Sequence, residues 1–179
     1  MLGTSYFRDR LNSAVSPELI SLRHNPLHRA GIASGICDAE GTPRQVTPIV
    51  EKGMLVSFYS DSYTANRLKI KNTGHASRPD LRSKPHPGLT NTQIGAGDAN
   101  IDELIRETRK GIYVYDSGFG PMAGTTNVSS MVDYGLLIEN GELKHPVKNT
   151  MIGTTVFDLL KNIDMASKEL LDESGRISP

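Results

Sequence analysis

Apolar residues along this chain fall in short runs separated by turn residues, and two stretches share one pattern. Residues 48–55 and 136–143 each contain an apolar run, a tight turn and a second apolar run. Asn140-Gly141 is the strongest short hairpin signal, because a type I′ turn needs positive φ at both central residues and Asn and Gly tolerate it. Lys52-Gly53 is a weaker form of this signal. The pattern predicts two β-hairpins.

A helix-like pattern follows each hairpin, at residues 63–70 and at residues 155–171. This order suggests one hairpin-and-helix unit used twice, an internal duplication. The alternative is that two surface hairpins share a common turn sequence. Apolar periodicity alone leaves both interpretations open.

The remaining pattern predicts further short strands and one more helix. Strands are predicted at residues 19–22, 45–50, 54–60, 89–94 and 112–115. A capping Asp or Asn before acidic residues predicts a helix from residue 98 to residue 110. Short strands with a few helices, and no long βαβ crossovers, favour an α+β fold. We expect β-rich antiparallel sheets that form a sandwich or a partly open barrel.

Length, charge and cysteine content bound the organisation and the partners. The chain fits one β-rich domain over residues 1–179, and the Lys, Arg, His, Ser and Pro content of residues 71–88 predicts a flexible loop. The 20 basic and 20 acidic residues cancel, so we expect no direct nucleic-acid partner and no membrane partner. A single cysteine and no apolar run of about 18 residues favour the cytoplasm.

Histidines are the first candidates for metal chemistry. His24 and His28 have the i, i+4 spacing of a helical zinc pair, but Pro26 would lie inside the required helix. We therefore expect both to be exposed loop residues. The same is expected of the histidines that stand alone: His75, His86 and His145.

Neither the cysteine nor the glycine-rich stretch carries a catalytic signature. Cys37 lacks a His within a recognisable nucleophile motif, so we expect a small packing residue. Residues 118–124 lack the Lys-Ser/Thr ending of a phosphate-binding loop. A turn beside a groove is expected there, where an extended peptide could add as a strand. The residues alone leave a binding module and part of an enzyme both open.

Several short segments also occur in a fixed order along the chain. They are Asp38-Ala39-Glu40-Gly41-Thr42-Pro43, Val50-Glu51-Lys52-Gly53, Asp61-Ser62-Tyr63-Thr64-Ala65-Asn66-Arg67-Leu68, Thr73-Gly74-His75-Ala76-Ser77-Arg78, Gly97-Asp98, Glu103-Leu104-Ile105, Lys110-Gly111-Ile112-Tyr113-Val114, Ile138-Glu139-Asn140-Gly141, His145-Pro146-Val147 and Lys161-Asn162-Ile163. Together they resemble the C-terminal domain of the TldD/PmbA family, U62-type metallopeptidases formerly described as modulators of DNA gyrase. The resemblance is closer to the PmbA (TldE) side than to the TldD side.

The resemblance implies a cytoplasmic, zinc-dependent peptidase system that acts on unfolded or leader peptides as a dimer of related subunits. The family's His-Glu-x-x-x-His zinc motif is absent from this chain. We therefore expect no cofactor on this chain and zinc elsewhere in the complete family enzyme. The chain then corresponds to a substrate-cradling domain that is inactive alone, either a fragment or a short member that works with another chain. The expected partners are a peptide and a second copy or a TldD-type subunit.

Two regions are expected to line the peptide groove, and no catalytic or metal-binding residue is predicted. The predicted peptide-binding residues are Asn91, Thr92, Gln93, Gly118, Gly120, Thr125 and Ser129. The alternative function is a noncatalytic subunit that dimerises with a catalytic TldD-type partner and regulates it. An independent enzyme that uses Cys37 is a third hypothesis.

Overall fold

The structure is a computed structural model and describes residues 6–29, 31, 33–118, 125–173 and 176–179. It divides into unit 1, which is Met1–Ala14, Glu18–Ala96 and Leu170–Pro179, and unit 2, which is Val15–Pro17 and Gly97–Glu169. In chain order the elements are β1 (Leu22–His24), β2 (Thr47–Glu51), β3 (Met54–Leu55), α1 (Ser62–Leu68), β4 (Ala76–Ser77), β5 (His86–Pro87), β6 (Thr92–Ile94), α2 (Ile101–Glu107), β7 (Lys110–Ser117), β8 (Asn127–Glu139), β9 (Glu142–Val147), β10 (Thr150–Thr155), α3 (Val156–Lys161), β11 (Leu171–Glu173) and β12 (Arg176–Ser178).

A six-stranded sheet is the framework of unit 1. Its strand order is β11-β12-β6-β1-β2-β3, and only β12 and β6 pair in parallel, at Ile177 and Gln93. β4 and β5 form a separate two-stranded sheet. The buried apolar side chains of unit 1 are Ile20, Ile49, Val50, Leu55, Ala65 and Ala76. Short strands from distant parts of the chain therefore meet over a small apolar core.

The first predicted hairpin is confirmed. β2 and β3 pair antiparallel across Lys52 and Gly53, whose φ angles are 43° and 77°. Both angles are positive, as a type I′ turn requires. The outer edge of β3 is covered, because Asn12 N–H donates to Leu55 O at 2.7 Å and Leu55 N–H donates to Ser13 O at 3.0 Å.

The segment predicted as a flexible loop, residues 71–88, contains the β4–β5 hairpin and buried residues. His75 and Ala76 are 2% and 1% exposed, and His75 N–H donates to Ser60 O at 3.1 Å. Part of this segment thus packs into unit 1. The flexibility of the segment stays a prediction.

One long strand organises unit 2. β8 pairs with β7 on one side, and with β10 and then β9 on the other. Val128, Ser130 and Val132 are buried while the residues between them are exposed, as expected for a half-buried strand. Asn140 and Gly141 join β8 to β9 with φ angles of 51° and 80°. The second predicted hairpin is therefore confirmed.

Side-chain caps set where the first two helices begin. The Asp61 carboxylate accepts a hydrogen bond from Thr64 N–H at 2.7 Å before α1. Asn100 and Glu103 form a capping box before α2, in which each side chain accepts from the other's backbone N–H at 2.8 Å. Both predicted helices are confirmed, but α1 begins one residue before and ends two residues before the predicted 63–70, and α2 covers only about half of the predicted 98–110.

The third helix is shorter than its pattern predicts. α3 ends at Lys161, and residues 162–171, predicted to continue it, are not helical. Backbone pairing with a distant segment explains the difference, because Ser167 O accepts from Gly97 N–H at 2.8 Å. The prediction for these residues is wrong, since apolar periodicity does not register such competing hydrogen bonds.

The α+β class is confirmed, with mostly antiparallel sheets and short helices, and the described residues form no closed barrel. Each hairpin precedes a helix, but β10 lies between the second hairpin and α3 and has no counterpart before α1. The internal duplication and the single domain over residues 1–179 stay predictions. Within the described ranges, no helix has the length and apolarity needed to cross a bilayer.

Candidate functional site

A cavity of about 1020 Å³ lies in unit 1, between side chains from β1, β2, β6 and β12. Its apolar wall is formed by Leu22, Pro48, Val50, Val56, Ile94 and Ile177. Ligand cavities in proteins commonly measure a few hundred to about 1,000 Å³ and have largely apolar linings. The size and lining therefore suit an organic ligand with several apolar groups.

The polar side of the cavity is built around one buried amide. Gln93 is 6% exposed, and its Oε1 accepts from Arg23 Nε at 2.9 Å and from Asn25 Nδ2 at 3.4 Å. An arginine can only donate, so the amide oxygen faces Arg23 and the amide nitrogen is directed elsewhere. That nitrogen has no hydrogen-bond partner among the described residues.

Basic groups outnumber acidic groups along the lining. Arg23 and Lys52 form no ion pair within the described ranges. His28 Nε2 lies 2.9 Å from Asp172 Oδ2. Glu51 is the acidic residue of the lining and is the chain neighbour of Lys52. The polar side therefore offers hydrogen-bond donors and positive charge.

Two buried histidines lie next to each other in the same unit. His24 and His75 are 1% and 2% exposed, with ring centroids 4.3 Å apart. His24 Nε2 accepts from Thr90 N–H at 3.2 Å, and His75 Nδ1 lies 2.9 Å from Thr73 O. Burial lowers the pKa of His24 to about 4, and the nearby His75 and Arg44 lower it too. Burial is also the largest cause of the lowered pKa of His75.

The prediction that these two histidines are solvated is wrong. β1 lies inside the six-stranded sheet and carries His24 into the core, while the backbone of His75 pairs with Ser60. His86 and His145 are exposed, as predicted, and His28 is partly buried. Cys37 is an exposed free thiol, so the packing role predicted for it is wrong.

Of the three predicted peptide-binding residues in unit 1, one lines the cavity. Gln93 does so, and Thr92 is half-buried and pairs with His24 across β6 and β1. Asn91 is 1% exposed, and its Nδ2 donates to Ser34 Oγ at 2.7 Å. Asn91 therefore holds a loop in place. Their role in peptide binding stays a prediction.

The other predicted residues belong to unit 2. Gly118, Thr125 and Ser129 are exposed near the start of β8, and Ser129 pairs with Gly153. Gly120 lies outside the described residues. The sequence interpretation missed Arg23 and Lys52, two cavity residues. The sequence held one signal for each residue. Arg23 follows the apolar run at residues 19–22, and Lys52 lies in the predicted Lys52-Gly53 turn.

The comparisons with known proteins decide the family. The family model for the PmbA/TldA metallopeptidase C-terminal domain matches residues 1–179. The chain belongs to this family. It is 28% identical over 176 residues to a metalloprotease TldD homolog of Buchnera aphidicola, covering 97% of this chain and 36% of the relative. It is 30% identical over 168 residues to a metalloprotease of Methanocaldococcus jannaschii, covering 92% and 37%.

The fold also agrees with that of a solved structure. TldE from Thermococcus kodakarensis superposes with a TM-score of 0.83 at 24% identity, over 98% of this chain and 41% of that chain. This likeness shows the shared fold. The chain spans little more than a third of the length of the curated relatives above.

The described residues do not fit the zinc that the PmbA/TldA family resemblance implies. Within the described ranges, no group of three or more His, Cys, Asp or Glu side chains could hold a metal ion. His24 and His75 are a buried pair, and His24 Nε2 already accepts from the Thr90 N–H. A structural or catalytic zinc site needs at least three protein ligands.

Proposed function

We propose that this chain is the substrate-cradling, peptide-binding domain of a TldD/PmbA-type zinc metallopeptidase system that acts on unfolded or leader peptides. The observation that carries the proposal is the cavity of unit 1, in a member of a metallopeptidase family. Its apolar wall suits side chains that a folded protein would bury. The zinc and the catalytic groups are supplied by another part of the complete enzyme or by a partner chain.

The cavity favours loose selection by hydrophobicity over selection of one sequence. Leu22, Val50 and Ile94 offer only dispersion and apolar contact, which many side chains satisfy. The polar groups of the lining can orient a peptide without demanding one particular apolar side chain. An unfolded peptide exposes apolar residues and has no folded structure to lose before it enters the cavity. The proposed substrate class therefore matches the lining.

Filling the cavity tests the proposal. Gly95 lines the cavity, and a Cβ added there would lie 3.9 Å from its nearest neighbours in Ser21. Position 95 therefore has room for the start of a side chain. Gly95→Trp should weaken binding of a fluorescent, unstructured apolar peptide at least tenfold, measured by anisotropy. Ile36→Trp is the control, because Ile36 is 84% exposed and does not line the cavity. Equal affinity of both variants and the unchanged chain would contradict the proposal.

A second candidate, a dimerisation subunit of a TldD-type partner, draws on the exposed side of unit 2. Met131 and Met151 are cross-strand partners and are 47% and 72% exposed. Tyr115 and Tyr134 are 55% and 50% exposed, with ring centroids 5.3 Å apart. Methionine and tyrosine are enriched at protein interfaces. Sedimentation of the chain with a TldD-type subunit should show a complex that Met151→Lys weakens, and two separate species would exclude this role.

A further inference from the structure

The polar side of the cavity is made of donors that its own residues leave unused. Arg23 Nε donates to Gln93 Oε1, and the two terminal nitrogens of Arg23 have no hydrogen-bond partner in the described ranges. The amide nitrogen of Gln93 likewise has no hydrogen-bond partner among the described residues, yet it stays accessible to solvent at the cavity. Arg23 is exposed, so water can serve these donors until a ligand with acceptor oxygens displaces it. These donors therefore point to a ligand that brings oxygen acceptors.

The positive charge of the lining favours an anionic ligand over a neutral one. The Arg23 guanidinium presents a planar fork that matches the two oxygens of a carboxylate. Lys52 adds a second positive charge without an ion-pair partner in the described part of the chain. The carboxylate of Asp172 is already beside His28, and Glu51 is the acidic residue that lines the cavity. Charge complementarity thus favours a carboxylate.

The apolar wall adjoins the same donors. Pro48 pairs with Arg23 across β2 and β1, and Ile177 pairs with Gln93 across β12 and β6, so each donor has an apolar cross-strand neighbour that also lines the cavity. A C-terminal carboxylate is one Cα away from the last side chain of a peptide. An apolar C-terminal residue therefore presents the two required groups at short separation.

We propose that the cavity binds the free C-terminal carboxylate of a peptide whose last residue is apolar. Arg23 and the Gln93 amide donate to the carboxylate, Lys52 adds attraction, and the last side chain lies against Pro48 and Ile177. This inference rests on the proposed peptide-binding function and specifies which end of the peptide is recognised.

Two peptides that differ only at the terminus test the inference. One unstructured, fluorescent peptide ends in Ala-Leu-Leu with a free carboxylate, and the other carries a C-terminal amide. The free acid should bind the unchanged chain at least tenfold more tightly by anisotropy. Arg23→Ala should remove most of this difference, and Lys52→Gln should reduce it two- to threefold. Arg82→Ala, which removes an exposed arginine outside the cavity, should keep it.

The outcomes separate the inference from the proposed function. If both peptides bind equally and Gly95→Trp weakens both, the peptide-binding proposal stands and end recognition is wrong. If neither peptide binds, both are wrong. Tighter binding of decanoate than of the free-acid peptide would also overturn the inference, because a fatty acid offers the same carboxylate and apolar chain. Arg23→Lys tests whether the planar guanidinium matters or only its charge. This variant keeps the positive charge, but it should lose most of the preference for the free-acid peptide.

Discussion

Unit 1 and unit 2 bury polar side chains to very different extents. Nine of the eleven buried polar or charged residues in the described ranges belong to unit 1: His24, Asp38, Thr47, Ser60, Asp61, Thr64, His75, Asn91 and Gln93. Unit 2 holds the other two, Ser130 and Ser167. Unit 1 has short strands, whereas the 13-residue β8 of unit 2 is paired on both sides.

The difference shows two ways of fixing a β-rich chain. In unit 2, the backbone ladder of a long strand satisfies the polar groups and sets the register. In unit 1, side chains such as Asp38 and Asn91 hold loops between strands too short to do this. Individual side-chain hydrogen bonds should therefore matter more in unit 1. The same irregular framework also leaves room for the cavity.

The largest expected effect is the loss of the Asp38 carboxylate. It accepts from the N–H groups of Glu40, Thr42 and Ala76, each at 2.9 Å, and it is 6% exposed. Asp38→Ala leaves these donors without an acceptor and should lower the free energy of unfolding by about 4 kcal/mol. Hydrogen exchange should speed up in β2 and β4 and much less in β8.

Asp80→Ala is the matched control for this change. Asp80 also accepts from two backbone N–H groups, those of Arg82 and Ser83, but it is exposed, so water can replace it. Asp80→Ala should therefore leave the unfolding midpoint unchanged. Equal destabilisation by the two variants would mean that burial does not distinguish these loops.

A pair of glycines gives the next largest effect and compares the units directly. Gly41 in unit 1 and Gly141 in unit 2 both have φ of +80°, but an added Cβ meets nothing at Gly41 and lies 2.6 Å from Arg106 O at Gly141. Gly41→Ala should cost about 1 kcal/mol, the price of a left-handed alanine. Gly141→Ala should cost about 3 kcal/mol, because strain and a backbone clash add.

Denaturant unfolding of the two alanine variants measures this difference. The excess cost at Gly141 reports how firmly the Asn140-Gly141 turn lies against Arg106. Equal costs would show that the turn can move away from this contact. Hydrogen exchange then tells whether the loss is confined to β8 and β9.

Acid should weaken unit 1 through its buried histidine pair. The pKa of His24 is about 4 in the folded chain and 6.5 in the reference state. Between these values the unfolded chain binds a proton that the folded chain does not, so stability is complete above about pH 6.5 and falls as pH falls. The loss from pH 7.5 to pH 5 should be about 2 kcal/mol for His24.

Urea unfolding at the two pH values measures this effect. His24→Gln lowers stability at pH 7.5 but should reduce the pH dependence, because one of the two buried titrating groups is gone. His86→Gln, at an exposed histidine, should leave the pH dependence of the unchanged chain. A His24→Gln variant with an unaltered pH slope would contradict the assignment.

Local chemistry explains what could be predicted. Both hairpins and the starts of α1 and α2 follow from turn and capping residues such as Asn140-Gly141 and Asn100, whose preferences act over a few neighbours. The failures are non-local. The end of α3 depends on a hydrogen bond between Gly97 and Ser167, and the burial of His24 depends on strands that flank β1 on both sides.

The sequence by itself determined the fold class, the two hairpins, the helix starts and the family, because these depend on local residue preferences and on the order of segments. Only the tertiary structure decided that Arg23, Lys52 and Gln93 share one cavity and that His24 and His75 are buried together. These groups meet because sheet pairing joins segments distant along the chain. Spacing in the sequence carries little information about such pairing, since many strand orders satisfy the same apolar pattern.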